Sequence, residues 1–231
     1  MTRFNLFREM ITRVAVALGE ELLDQVAFVG GCTTGLLLTD DYTREQVRYT
    51  DDVDLIVHVV SHVEWAKLQE TLREKGFAED ASESAVICRM VLGELKVDFM
   101  PDSGVLGFSN PWYPEALKTA KYYSLADGIN IRLVRPEYFV ATKLQAYQGR
   151  GKNDPMGSHD IEDILNLFSG RASLVKELEQ ADLKLREYVA EQISQLLDNR
   201  DFEYAVQAAA NDEGRERELF GRLERAAKVK F

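Results

Sequence analysis

The spacing of apolar residues changes at Arg135–Pro136, and this change limits the folds that the chain can adopt. Before it, short runs of apolar and β-branched residues end at glycines or polar turns, which is the pattern of buried strands. These runs lie at 26–29, 53–60, 85–92, 95–100 and 130–134. After it, apolar residues recur every three or four positions, as on one face of a helix. An αβ half over residues 1–134 followed by a helical half over 135–231 predicts an α+β fold.

Local signals predict the helices and one loop. Five apolar residues with helical spacing predict a helix at the start of the chain: Phe7, Ile11, Val14, Leu18 and Leu22. Residues 32–38 and 63–75 are also predicted to be helical, and the polar residues 39–50 to form a loop. In the second half, Ser158 fits the N-cap of a helix, and the alternating charges of 212–231 predict a solvent-exposed helix.

Composition argues against several classes of protein. The 231 residues contain 28 Lys and Arg against 39 Asp and Glu, a net charge of −11, which argues against a wide nonspecific surface for nucleic acid. No apolar run approaches the roughly 20 residues of a membrane span, and charged residues interrupt the region where a signal peptide would be apolar. Cys32 and Cys88 are too few for a disulfide framework or a zinc site of their own. We therefore expect a reduced, cytoplasmic protein that does not use a membrane.

The most informative short sequence is Thr50-Asp51-Asp52-Val53-Asp54, at the start of the strand predicted over 53–60. Side chains alternate along a strand, so Asp52 and Asp54 face the same way, about 7 Å apart. Two such carboxylates repel each other unless a cation lies between them. Mg²⁺ prefers carboxylate oxygens and leaves positions for phosphate oxygens. The pair predicts a magnesium site; the alternative is two solvent-facing acids on an edge strand.

A third acid, Asp98, lies in the strand predicted over 95–100. The Gly93-Glu94 link joins this strand to the preceding run as a hairpin. If the strand lies beside 53–60, Asp98 joins Asp52 and Asp54. Three carboxylates can bind two metal ions, which activate an attacking oxygen and stabilise a leaving phosphate.

The segment Gly30-Gly31-Cys32-Thr33 lies between a predicted strand and a predicted helix. Its small residues allow backbone N–H groups to approach a phosphate at the helix N-terminus. It is not a Walker loop, because no Gly-Lys-Ser/Thr follows. The alternative is an ordinary turn without a ligand.

Gly30-Gly31, Asp52-x-Asp54 and Asp98 together resemble the signature of the nucleotidyltransferase superfamily related to DNA polymerase β. That signature is a glycine turn, an Asp-x-Asp pair on a strand and a third Asp on a later strand. The sequence departs from it at Cys32, where Ser or Thr is common, and in its long interval between the glycines and the acid pair.

The resemblance extends to the AbiEii-like branch, which includes bacterial toxin–antitoxin and phage-defence nucleotidyltransferases. Arg48-x-Thr50-x-Asp52-x-Asp54 is similar to the Arg-x-Thr-x-Asp-x-Asp string of that branch. A later lysine on a helix and a following Asp-x-x-Asp resemble Lys143 and the segment Asp160-Ile161-Glu162-Asp163. The resemblance covers roughly residues 26–168.

The resemblance implies a mixed sheet flanked by helices, followed by a helical region that completes the nucleotide site. It also implies Mg²⁺-dependent transfer of a nucleoside monophosphate from an NTP, such as ATP, to an acceptor hydroxyl, with release of pyrophosphate. Two Mg²⁺ ions are expected, with Mn²⁺ as a substitute.

The resemblance also assigns roles to residues. Asp52, Asp54 and Asp98 would bind the metals, and Gly30, Gly31 and Thr33 would seat the triphosphate. Lys143 would neutralise the triphosphate; the helical spacing, not the resemblance, adds Arg150, two turns later on the same side, and Lys152 follows it. Supporting roles fall to Arg48, Thr50, Asp160 and Asp163. The last two lie three apart on one helix face and would pair with Lys143 or Arg150; the alternative is acids in the first turn that interact with the helix dipole.

Several alternatives stay open. The acceptor is tRNA, a protein or a small molecule; the first two suit a toxin with an antitoxin partner, whereas the net charge of −11 favours a small molecule or a protein. A non-catalytic binding or regulatory protein with the same fold is the rival from another class. The alternative for Lys143 is a solvated helix residue, and Trp112 and Tyr113 either stack on a base or pack in a loop. His58, His62 and His159 lack the spacing of a metal site.

Overall fold

The computed structural model describes residues 2–82, 85–126, 128–151 and 153–229. Its strands are β1 Val26–Val29, β2 Asp52–Val57, β3 Ala78–Glu79, β4 Arg89–Leu92, β5 Leu95–Pro101, β6 Lys121–Ala126 and β7 Ile129–Leu133. Its helices are α1 Arg3–Leu23, α2 Thr34–Leu37, α3 Asp41–Gln46, α4 His62–Glu74, α5 Tyr113–Thr119, α6 Pro136–Arg150, α7 His159–Gly170, α8 Leu174–Glu179, α9 Leu183–Leu197, α10 Arg200–Ala210 and α11 Glu213–Ala226. A 3₁₀ turn, Gly31–Thr33, precedes α2. The predicted α+β class is confirmed.

The chain divides into two compact units. The first contains Met1–Thr33 and Arg48–Arg135, and every strand described lies in it. The second contains Thr34–Val47 and Pro136–Phe231 and is built from helices. The long interval between the glycine turn and the acid pair thus supplies α2 and α3 to the helical unit.

The strands of the described residues form one mixed seven-stranded sheet, in the order β3-β4-β5-β2-β1-β7-β6. The central strand β2 runs antiparallel to β1 and parallel to β5. Hairpins pair β4 with β5 and β6 with β7. All four residues of β1 are buried, as are Val53, Leu55, Ile56 and Val57 of β2. The central buried strand predicted from residues 53–60 is confirmed, and the edge-strand alternative for the acid pair is wrong.

The helices of the first unit cover the sheet with apolar side chains. The face predicted for α1 is buried, and this helix packs against β1, β2, β6 and β7. Its helical geometry is interrupted at Gly19, where φ is +69°. Helix α4 buries Trp65 and Leu72, and α5 contacts β1 and β2. Apolar side chains of these helices therefore pack against the sheet that carries the acids.

The second unit packs its helices around large apolar side chains, among them Phe139, Phe168 and Phe202, each fully buried. Helix α6 contacts α7, α8 and α9, and α11 contacts α7, α8, α9 and α10. The predicted cap of α7 is confirmed, because the side chain of Ser158 accepts a hydrogen bond from the backbone N–H of Ile161.

One prediction about a polar segment is wrong, and a second is right only in part. Residues 41–46, expected in a loop, form α3, which Asp40 caps by accepting a hydrogen bond of 2.9 Å from the N–H of Thr43. The tail forms the predicted helix, α11, but it is not solvent-exposed throughout, because Leu219, Leu223 and Arg222 are buried. The guanidinium of Arg222 donates to two main-chain carbonyls of α7, which satisfies its charge inside the unit.

Several elements were not anticipated from the sequence. These are the short strand β3, helix α5 and strand β6. Two of the six residues of β6 have intermediate exposure and three are exposed, so its sequence lacks the apolar run of a central strand. None of the helices in the described part of the chain combines the length and apolar character needed to cross a membrane.

Candidate metal centre

The parallel pairing of β2 with β5 brings three carboxylates together. Asp54 is the register partner of Asp98, and Asp52 lies two residues earlier on the same face of β2. The three side chains each offer an oxygen, and these oxygens lie within 4.8 Å of one another. Asp98 is buried, and the other two acids are half-buried. The cluster predicted from the strand pattern is confirmed, and it could hold a metal ion.

Gly30 brings the main chain against this cluster. It follows the last residue of β1, Val29, which pairs with Asp54. Its φ is +80°, and a Cβ atom at this position would lie 1.7 Å from Oδ2 of Asp54. Only glycine meets both demands, because other residues rarely adopt this conformation and any side chain would collide with the carboxylate. The backbone of the turn therefore lies directly beside the acids.

The residues after Gly30 are held by the turn itself. The hydroxyl of Thr33 donates to the carbonyl of Gly30 at 2.8 Å, and its backbone N–H donates to the same carbonyl at 3.1 Å. Thr33, Gly31 and Cys32 are all buried. The Thr33 hydroxyl thus stabilises the turn, and its predicted contact with a triphosphate stays a prediction.

Arg89, on β4, contacts the acid cluster and was not among the predicted site residues. Its Nε and Nη2 atoms donate to the two oxygens of Asp98 at 2.7 and 2.8 Å, and Nη2 lies 3.5 Å from Oδ2 of Asp52. The hydrogen bond with Asp98 is the main reason that the pKa of Arg89 is raised above its usual value. The sequence did contain a signal: counting back from the Gly93-Glu94 turn of the predicted hairpin places Arg89 opposite Asp98.

The donor set fits a divalent ion. It consists of carboxylate oxygens, which hard cations prefer over nitrogen or sulfur. A guanidinium already lies against Asp98 and Asp52, which shows that the cluster stabilises positive charge. Burial raises the pKa of the nearby Cys88 thiol to about 12, so without a metal ion this thiol stays protonated. These features favour a hard cation without distinguishing Mg²⁺ from Mn²⁺.

The residues before the acid pair hold its position. The hydroxyl of Thr50, itself buried, donates to Oδ1 of Asp52. Arg48 donates from Nη1 to the carbonyl of Tyr49 at 3.2 Å. Asp51 pairs with Lys96 at 2.8 Å, and this hydrogen bond is the main reason that its pKa is lowered. Thr50 thus orients a cluster member, whereas Asp51 pairs outside the cluster.

A second group of predicted residues lies in the helical unit. Lys143 of α6 is buried, and its Nζ lies 2.7 Å from Asp163 and 3.3 Å from Asp160 on α7. Arg150 donates two hydrogen bonds of 2.8 Å to Asp160, and Thr34 donates to Asp163 at 3.2 Å. The ion pairing predicted for the two acids is present, and the prediction of a solvated Lys143 is wrong. Lys152 lies outside the described residues.

The electrostatics of Asp160 follow from these contacts. Burial by itself raises the pKa of this carboxyl, since the charged form loses water. The hydrogen bond from Arg150 and the positive charge of Lys143 outweigh burial, so the pKa is lowered overall. The side chain of Arg150 is 71% exposed, whereas that of Lys143 is 8% exposed. Asp160 therefore carries its charge inside the unit with one buried and one exposed partner.

The remaining sequence candidates lie elsewhere. Trp112 is buried at the start of α5, and Tyr113, the first residue of that helix, donates from its hydroxyl to Sδ of Met100, so the segment is packed but is not a loop. His58 pairs through Nδ1 with Asp102 at 2.7 Å, and this contact is the main reason that its pKa is raised. His159 lies 3.5 Å from Glu162.

Comparison with protein-family models and with characterised proteins finds no match for this chain. The functional interpretation therefore depends on the motif and on the geometry of the acid cluster.

Proposed function

We propose that this protein is a divalent-metal-dependent nucleotidyltransferase, which transfers a nucleoside monophosphate from an NTP to an acceptor hydroxyl. The observation that carries the proposal is the convergence of Asp52, Asp54 and Asp98 beside a glycine turn whose backbone touches the cluster. This combination matches the resemblance to the polymerase β-related superfamily. It also has features that phosphoryl transfer needs, namely acids for a cation and a glycine turn whose backbone lies next to them.

In the proposed reaction, the acceptor oxygen bonds to the α-phosphorus, the bond to the bridging oxygen breaks, and pyrophosphate leaves. A bound divalent ion, Mg²⁺ or Mn²⁺ and in the full site two of them, supplies Lewis-acid stabilisation of the charge on the phosphates. Asp52, fixed by Thr50, and Asp54, fixed against Gly30, provide the oxygens for it. Asp98 completes the set and accepts the proton of the acceptor hydroxyl. Precise placement matters because misplacement of reacting groups by about 1 Å can cost two orders of magnitude in rate.

Arg89 favours a second candidate, a non-catalytic binding protein. Three converging carboxylates need a metal ion only if no other positive charge offsets the repulsion between them. Arg89 neutralises Asp98 and lies near Asp52, so the cluster is partly compensated without a metal. A binding protein of this kind would bind a nucleotide or partner without turnover and independently of divalent ions.

The acceptor and the partners are part of the proposal. The acceptor is tRNA, a protein or a small molecule, and in a toxin role the protein would have an antitoxin partner. The contact of Lys143 and Arg150 with a triphosphate is a separate proposal, because both cations already pair with Asp160.

The test uses four NTPs labelled on the α-phosphate, with Mg²⁺ and separate pools of tRNA, protein and metabolites. We expect label in one pool and release of pyrophosphate, both lost in Asp54→Asn. The matched control is Asp51→Asn, which removes a neighbouring acid that pairs outside the cluster. Nucleotide binding that is unchanged by a chelator, without label in any pool, would favour the non-catalytic candidate.

A further inference from the structure

We propose that Arg89 is a built-in counter-cation of the acid cluster and competes with the divalent ion for Asp98. This inference rests on the proposed function and adds a residue that controls when the metal binds. Metal binding then requires the guanidinium to leave Asp98 and Asp52. The function of this competition is to make stable metal binding depend on the NTP, whose triphosphate brings additional negative charge.

The contacts place the guanidinium where a metal ion must act. Both oxygens of Asp98 accept hydrogen bonds from Arg89. This bidentate arrangement is the one in which Arg–carboxylate pairs are strongest. The same guanidinium lies 3.5 Å from Asp52. Each carboxylate oxygen has a second lone pair, so hydrogen bonding alone does not exclude a metal. Two positive charges within a few ångströms repel strongly, however, and the repulsion increases where water is partly excluded.

The two partners differ in their freedom to move. Asp98 lies on β5, between β4 and β2, and is buried. Arg89 extends from β4 by a long, rotatable side chain of intermediate exposure. Rotation of this side chain can carry the charge towards water without moving the backbone. The hairpin register that pairs Arg89 with Asp98 returns it to the cluster when the metal leaves.

Lys96 provides a matched control on the neighbouring strand. It lies two residues before Asp98 on β5, but its ammonium pairs with Asp51 at 2.8 Å. Arg89→Gln and Lys96→Gln remove the same charge from the same region of the sheet. Only the first removes a contact with the cluster, so their difference separates displacement from the general effect of net charge.

The experiment is a calorimetric titration of Mn²⁺, without nucleotide, into the parent, Arg89→Gln and Lys96→Gln. We expect Arg89→Gln to bind Mn²⁺ about tenfold more tightly or better, and Lys96→Gln to stay within about threefold of the parent. Without metal, Arg89→Gln is expected to melt below the parent, and Mn²⁺ to raise its Tm more. If Arg89→Gln does not fold, Arg89→Lys replaces it. This variant keeps the charge but loses the bidentate contact, so it is expected to bind Mn²⁺ more tightly than the parent, but by less than about tenfold.

Each other outcome overturns the inference in a recognisable way. Unchanged or weaker Mn²⁺ binding in the Arg89 variants, with a parent that binds Mn²⁺ and turns over NTP, rejects the competition and leaves the proposed function standing. Equal tightening in the Arg89 and Lys96 variants attributes the effect to net charge and also rejects it. No Mn²⁺ binding by any of these proteins, even with NTP, rejects both the inference and the proposed function.

Discussion

Asp54 of β2 and Asp98 of β5 are register partners on parallel strands, yet their carboxylates have different surroundings. Asp98 is buried and accepts two hydrogen bonds from the Arg89 guanidinium. Asp54 is half-buried and lies against the backbone of Gly30. The two acids therefore share a predicted role in metal binding but differ in what their charge does for the fold.

We predict that Asp54→Asn and Asp98→Asn both abolish transfer but change stability in opposite directions. Asp54→Asn should melt at or above the parent without metal, because it relieves repulsion between neighbouring carboxylates. Asp98→Asn should lose roughly 1–3 kcal/mol, because Arg89 keeps its charge and loses its ionic acceptor. Thermal melts without metal, beside NTP-turnover assays, measure both effects. An Asp54→Asn variant that melts far below the parent, or that turns over at the parental rate, would make Asp54 a structural acid.

Gly30→Ala should destabilise the first unit and abolish metal-dependent NTP binding. The new methyl group would enter the space of the Asp54 carboxylate, and the φ of +80° is unfavourable for alanine. The conformational cost is about 1–2 kcal/mol, and the collision adds roughly 1–3 kcal/mol. Chemical denaturation measures the sum.

Gly107→Ala is the control for the glycine conformation. Its φ is +84°, and a Cβ there would meet nothing within 4 Å. The Gly107→Ala variant should therefore lose only the unfolding free energy that the positive φ costs alanine. If Gly30→Ala and Gly107→Ala lose the same unfolding free energy, the Asp54 side chain moves aside without cost, and the contact with Gly30 does not position it.

Lys143→Ala should destabilise the protein, by about 3–5 kcal/mol, because it leaves the buried Asp160 and Asp163 without their shared cation. From the sequence alone, the expectation is weaker NTP binding with little effect on folding. Burial changes that expectation, so NTP binding must be measured under conditions where the variant is folded. Lys176→Ala, at an exposed position of α8, is the control for loss of a lysine. A Lys143→Ala variant as stable as this control would contradict the structural role.

The stability that Asp160 contributes should disappear in acid. Its folded pKa is lowered, so the contribution is complete above the unfolded value of about 3.9 and decreases as the pH falls through the folded pKa. We therefore expect the difference in unfolding free energy between the parent and Asp160→Asn to be constant from pH 7 to pH 5 and to shrink below about pH 4. Denaturant titrations at a series of pH values measure it. A difference that shrinks between pH 7 and pH 5 would indicate a raised pKa instead.

Local patterns in the sequence predict much of the candidate site. Alternation along β2 places Asp52 and Asp54 on one face, and the short turn after β4 pairs Arg89 with Asp98. The meeting of β2 with β5 is different, because it joins strands that are distant in sequence, and no local signal fixes which strands become neighbours. The acid cluster could therefore be anticipated only on the condition that these strands pair.

The segments that were predicted wrongly or only in part depend on contacts with distant residues. The polar sequence of α3 predicts a loop. In the structure, Arg215 of α11 donates to Asp40, which caps α3, and lies over the ring of Tyr42. Helix α11 alternates charges, yet Arg222 donates to carbonyls at the end of α7. Propensity and charge pattern carry no information on such tertiary partners. The ion pairing of Lys143 with Asp163 could likewise be predicted from the motif, but the burial of the two residues could not.

The most direct test of the nucleotidyltransferase proposal is a crystal structure with Mn²⁺ and a non-hydrolysable NTP analogue, recorded for the anomalous signal of manganese. The proposal predicts Mn²⁺ within about 2.5 Å of carboxylate oxygens of Asp52 and Asp54, with triphosphate oxygens on the same ion. Manganese bound away from the acid cluster, or an analogue bound in the same place when the ion is withheld, would contradict it.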